Sequence, residues 1–154
     1  MIDRFLKRFR AAIAWARAQH FSTSGRYDEA LELVRSVEPP THLRSAWRLF
    51  EIHQLSLLER HQETLRAAIS LIDEFAARPS LTPDGRYFVC FAQWCGALAF
   101  SELFPATERP AKLQFDFASL SLKDVSPRWQ RMFPLLIHPE WDDTKPAAKQ
   151  SVSQ

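Results

Sequence analysis

The segment Gly25-Arg26-Tyr27-Asp28-Glu29-Ala30-Leu31-Glu32-Leu33-Val34 lies between two long helical patterns and reads as a turn followed at once by a helix. Glycine takes the left-handed backbone conformation at little cost, so Gly25 suits the residue just past a helix end. Asp28 and Glu29 then fall in a first helical turn, where carboxylates meet the positive end of the helix dipole. Ala30 is small enough for two helices to approach closely. Leu31 and Val34 open an apolar face at i, i+3 spacing. These residues alone predict two helices folded back on each other, with Tyr27 covering the corner.

The rest of the chain suits helices. Three glycines against ten prolines is too little glycine for a protein built on hairpin turns. Hydrophobic content of 46% and charged content of 25% over 154 residues describe an ordinary globular chain with material for a real core. A net charge of +2 argues against a large basic surface for nucleic acid. No apolar run reaches the ~18–20 residues of a membrane span, and charges interrupt every early apolar segment where a secretory signal would need none. Cys90 and Cys95, five apart on one helix, point to different faces, which fits reduced thiols and a cytoplasmic location.

A first helix is expected from about Ile2 to Phe21, with Ile2, Phe5, Leu6, Phe9, Ile13 and Ala16 in one stripe and Arg4, Lys7, Arg8, Arg10 and Arg17 mostly outside it. The preferred expectation packs this stripe on the second helix; the alternative is an anchor on a membrane surface. The second helix, from about Asp28 to Val37, must stop at Pro39-Pro40. Thr41 caps a third, with Ala46, Trp47, Phe50, Leu55 and Leu58 apolar. A fourth runs from about Gln62 to Ala77 on Leu65, Ala68, Ile69 and Ile72. Thr82-Pro83 starts a fifth, reaching about Phe104 and apolar on nearly every side, hence buried all round.

The segment 105–143 reads as an arm packing on this 1–104 helical domain. Leu113, Phe115, Phe117, Leu120 and Leu122 alternate with polar residues, as an extended chain does. Ser126-Pro127 opens a short helix with Trp129, Met132 and Phe133. Leu135, Leu136, Ile137 and Trp141 are further apolar anchors, and 144–154 is expected to be a disordered tail.

Aligning the two helix pairs places Glu29-Ala30-Leu31 over Glu63-Thr64-Leu65, an offset of 34 residues (30 to 64). Gly25-x-Tyr27-x-x-Ala30 and this period resemble the tetratricopeptide repeat over roughly residues 11–78. The resemblance implies antiparallel helical hairpins; with the extended C-terminal arm read from the alternation above, the expected fold is all-α. It also implies a protein-binding scaffold in which the first helix of each pair lines a groove. Carried onto this chain, the groove residues are Trp15, Gln19 and Thr23, then Leu49, His53 and Ser56, and Tyr87. An adaptor, a chaperone or a regulatory subunit would use such a groove for a peptide segment or subunit of another protein.

The residues offer little for catalysis. There is no Gly-rich phosphate loop, His-Glu-x-x-His or Gly-x-Ser-x-Gly pattern. Cys90 as a nucleophile with a histidine base would be the site of a small enzyme, but Phe88, Val89 and Phe91 surround it with apolar side chains. His138, Glu140, Asp142 and Asp143 form a polar group whose spacing fits no metal-ligand pattern. The expectation is no catalytic residues, no metal and no cofactor. Another protein is the expected partner, a membrane surface the second, and nucleic acid is not expected.

Overall fold

The computed structural model describes residues 1–115, 117 and 119–135. Leu136, Ile137, Trp141, the His138–Asp143 polar group and the 144–154 tail lie outside them. The described residues form an all-helical protein, with six α-helices and no strand. In order these are α1 (Ile2–Thr23), α2 (Tyr27–Ser36), α3 (Arg44–Leu57), α4 (His61–Ala76), α5 (Pro83–Leu103) and α6 (Pro127–Met132). Each of the first four packs on the next, and α3 also meets α5.

The turn after α1 is made as its residues require. Gly25 has φ of 76°; its N–H donates to Ser22 O, and the Arg26 N–H donates to Phe21 O at 2.8 Å. These are the two hydrogen bonds of a Schellman motif, which satisfy carbonyls that the helix end leaves open. Arg26 closes the corner: its guanidinium lies 4.5 Å from the Phe21 ring centre and its Nε donates to Glu29 Oε1 at 2.8 Å.

The same construction recurs 34 residues later. Glu59 has φ of 56°, its N–H donates to Ser56 O, and the Arg60 N–H donates to Leu55 O at 3.0 Å. Arg60 bonds Glu63 as Arg26 bonds Glu29. A left-handed conformation at a side-chain-bearing residue costs about 1–2 kcal/mol, which glycine avoids at the first turn.

Proline starts the later elements. Thr82 caps α5 by accepting the Gly85 N–H at 3.1 Å, with Pro83 in the first helical position. Asp84 then accepts both the N–H and the hydroxyl of Ser126 at 2.9 Å, fixing the start of α6 to the start of α5.

The core is centred on α5, whose Tyr87, Phe88, Cys90, Phe91, Ala92, Cys95, Gly96, Ala97 and Ala99 are all buried. Gly96 is where α4 and α5 come together. A Cβ there would meet Leu113 Cδ2 at 2.8 Å and Ala68 Cβ at 3.2 Å, so no side chain fits without movement. Trp47 of α3 donates its indole N–H to Val34 O at 2.9 Å, covering one of the last carbonyls of α2. Between α5 and α6 the described residues are irregular except for short 3-10 turns at Ala111–Leu113 and Leu122–Asp124. Its Leu113, Phe115 and Val125 are buried, Phe117 and Leu120 half-buried, and Leu122 exposed.

The apolar stripe of α1 corrects the expectation that it packs on α2. Ile2, Phe5, Leu6, Phe9 and Ile13 are exposed, Phe5 at 69% and Phe9 at 54%. The face that docks is Ala11, Ala14 and Ala18, with Trp15 and Phe21 beside it. Alanines allow a shorter interaxial distance than phenylalanines would, and that close approach turns the larger side chains outward.

Candidate functional site

The wall of α1, α3 and α5 that carries the expected groove residues is built in layers. Trp15 stacks on Trp47 with ring centres 4.7 Å apart and meets Phe50 at 5.3 Å, leaving its outer part accessible. Gln19, one turn on, is half-buried, and Thr23 is exposed with its hydroxyl donating to His20 O at 3.0 Å. Trp15, Gln19 and Thr23 follow each other at i, i+4, i+8 and share one side of α1.

The α3 members meet α5. The His53 ring sits edge-on to Phe91 at 5.2 Å and to Phe133 at 6.3 Å. Burial among these rings pulls the imidazole down to about 4 from its ordinary 6.5, so His53 is neutral at pH 7. Burial likewise pushes the Cys95 thiol up to about 12 against a hydrogen bond with Ser56, which keeps it protonated. Neither thiol is disulfide-bonded, and both are buried.

Two expected groove residues prove to be core. Leu49 is 0% and Tyr87 2% exposed. Tyr87 donates its hydroxyl to Phe133 O at 2.6 Å, and Phe133 also packs on Phe88 and Phe91. Leu49 points into the cluster that α5 shares with α3. The two residues therefore support the wall from behind, while Trp15, Gln19, Thr23 and Ser56 retain surface.

A second depression of about 380 Å³ lies between α2, α3 and α4. Its charges bond one another: Arg35 to Glu51 at 2.7 Å and to Glu63 at 3.7 Å, and Arg48 to Ser70 at 3.0 Å and to Glu74. Such exposed pairs add little stability. Among the described residues no group of three His, Cys, Asp or Glu side chains is placed to hold a metal.

Sequence reasoning passed over Gln54. It is 0% exposed, and neither its amide nitrogen nor its oxygen has a hydrogen-bond partner among the described residues. A polar residue seven positions after Trp47 and four after Phe50, on the same helix face, is the signal that would have found it.

No family model, no curated protein and no solved structure matches this chain.

Proposed function

We propose that this protein is a non-catalytic, tetratricopeptide-like scaffold that binds a segment of a partner protein along the α1 and α3 wall. The observation that carries this reading is the repetition of one turn at a spacing of 34 residues, Gly25-Arg26 and Glu59-Arg60, each with the same two backbone bonds and the same Arg–Glu pair. A like corner inside each of the two helix pairs is what a scaffold built from tandem helix pairs would use, and it supports this reading. On this reading the segment from Pro105 packs as an arm on the helical domain that ends with α5, and the protein works in the cytoplasm as an adaptor, chaperone or regulatory subunit.

Trp15, Gln19, Thr23 and Ser56 are the contact residues, an aromatic anchor flanked by hydrogen-bonding groups on a rigid backing. Leu49, His53 and Tyr87 hold that backing. The test is affinity capture with the native chain and with a Gln19→Arg/Thr23→Arg variant of equal melting temperature. A protein retained by the native chain and lost from the variant is the expected result. Identical retention by both, or none by either, would rule the wall out.

A further inference from the structure

The exposed stripe of α1 is a different surface from the wall above. At about 100° per residue, Ile2, Phe5, Leu6, Phe9 and Ile13 fall on the side of the helix opposite to Ala11, Ala14 and Ala18. The alanines face the body and are buried, so the stripe faces away from it. The first ten residues are all exposed, so roughly two and a half turns of helix present the apolar stripe to solvent. Phe5 and Phe9 stack on each other with centres 6.3 Å apart, forming one continuous apolar ridge.

Charge identifies what this ridge meets. The α1 helix carries Arg4, Lys7, Arg8, Arg10 and Arg17 against Asp3 alone, a net +4 (five less one), whereas the whole chain is +2, so everything else sums to −2 (+2 less +4). Arg10 and Arg17 border the stripe on one side and Arg8 on the other, by the same angular count. We infer that the outward face of α1 docks in the interface of an anionic lipid membrane. The phenylalanine ridge sits at the headgroup–acyl boundary, and the flanking arginines extend to the phosphates. No helix among the described residues is long and apolar enough to cross a membrane, and the docking described here is parallel to the surface. Because the alanine face is opposite, α1 binds lipid without leaving the helices it packs on.

A second copy of the chain is the rival occupant, and charge disfavours it. Apposing two stripes brings arginine borders against arginine borders with one aspartate on each side, and like charges oppose association. Anionic headgroups supply the missing negative charge.

Vesicle flotation with the full chain decides the matter, using phosphatidylcholine vesicles with and without about 30% phosphatidylserine, enough for a surface potential of tens of millivolts. The native chain is expected to partition at least about tenfold more strongly onto the anionic vesicles. That partition should fall steeply when salt rises from about 0.05 M to about 0.5 M. Phe5→Ser/Phe9→Ser and Arg8→Glu/Arg10→Glu should each abolish it. All four positions are exposed, so both variants should melt as the native chain does. Equal binding to neutral vesicles, retained binding by either variant, or no flotation at low salt would each overturn the inference. So would a dimer in sedimentation that Phe5→Ser/Phe9→Ser dissociates while no vesicle is bound.

Discussion

The two longest helices, α1 and α5, are nearly equal in length at 22 and 21 residues, and both carry phenylalanines at helical spacing. In α5 those rings are the centre of the molecule. In the first half of α1 they face solvent. The difference lies in what surrounds them in the sequence. Around Phe88 and Phe91 stand Tyr87, Val89, Cys90, Ala92 and Trp94, so every direction offers apolar contact. Around Phe5 and Phe9 stand Arg4, Lys7, Arg8 and Arg10, and the only small apolar face begins at Ala11. Apolar periodicity therefore marks a helix that needs a partner surface, and the charge around it decides whether that surface is the protein's own core.

The strongest challenge to this contrast is Phe91→Ala. Phe91 is fully buried against His53, Trp94 and Phe133. Its truncation should cost about 3–5 kcal/mol, a large share of a domain's stability. A loss below about 1 kcal/mol in urea unfolding would mean that α5 is not enclosed as described.

Acid should probe the same interior through His53. Its folded value of about 4 lies below the ordinary 6.5, so between those values the unfolded chain binds a proton that the folded chain does not. Stability is full above about pH 6.5 and falls as pH drops towards 4, by roughly 3 kcal/mol from this group. His53→Leu should flatten that part of the pH–stability curve. Parallel curves for the two proteins would place His53 in water.

Gln54→Met sharpens the comparison from the opposite direction, because it makes the core more apolar. A buried amide without partners costs about 1–3 kcal/mol, so the nearly isosteric thioether should raise stability by about 1 kcal/mol or more. A lower thermal midpoint would show that the amide is bonded in solution.

The smallest effect is expected at the exposed end. Phe9→Ser should change stability by no more than about 0.5 kcal/mol, as surface substitutions do. A loss comparable to that of Phe91→Ala would return the α1 stripe to the core.

Much of the fold is legible from residues with a single conformational use. Gly25 marks the end of α1, Thr82-Pro83 the start of α5, and Pro39-Pro40 the stop after α2, and each element falls within a few residues of its expected place. The orientation of α1 is not legible in this way. A hydrophobic stripe announces itself, whereas Ala11, Ala14 and Ala18 look neutral, and only three-dimensional proximity makes them the docking face. Glu59 is hidden for a related reason: nothing in a glutamate advertises a left-handed turn, and the surrounding bonds impose it. In the candidate site Trp15, Gln19 and Thr23 keep surface as their register implies. Leu49 and Tyr87 do not: both are buried, and Tyr87 is bonded to Phe133, 46 residues beyond it in the chain.

That long reach gives the molecule an order of assembly. From α1 to α5 every helix packs on its neighbour in sequence, so most contacts close short loops, the wiring associated with folding in microseconds to milliseconds. Leu113, Val125, Trp129 and Phe133 belong to the core that α3, α4 and α5 form, so these four are expected to dock after those helices have assembled. The last part to dock is also the first to release, so amide hydrogens there should exchange through smaller openings than those of α5. Equal protection in both regions would mean that the whole chain opens as one unit. An opening that lifts Phe133 away should uncover Phe91 and His53, the two rings it packs on, while the five-helix stack stays intact.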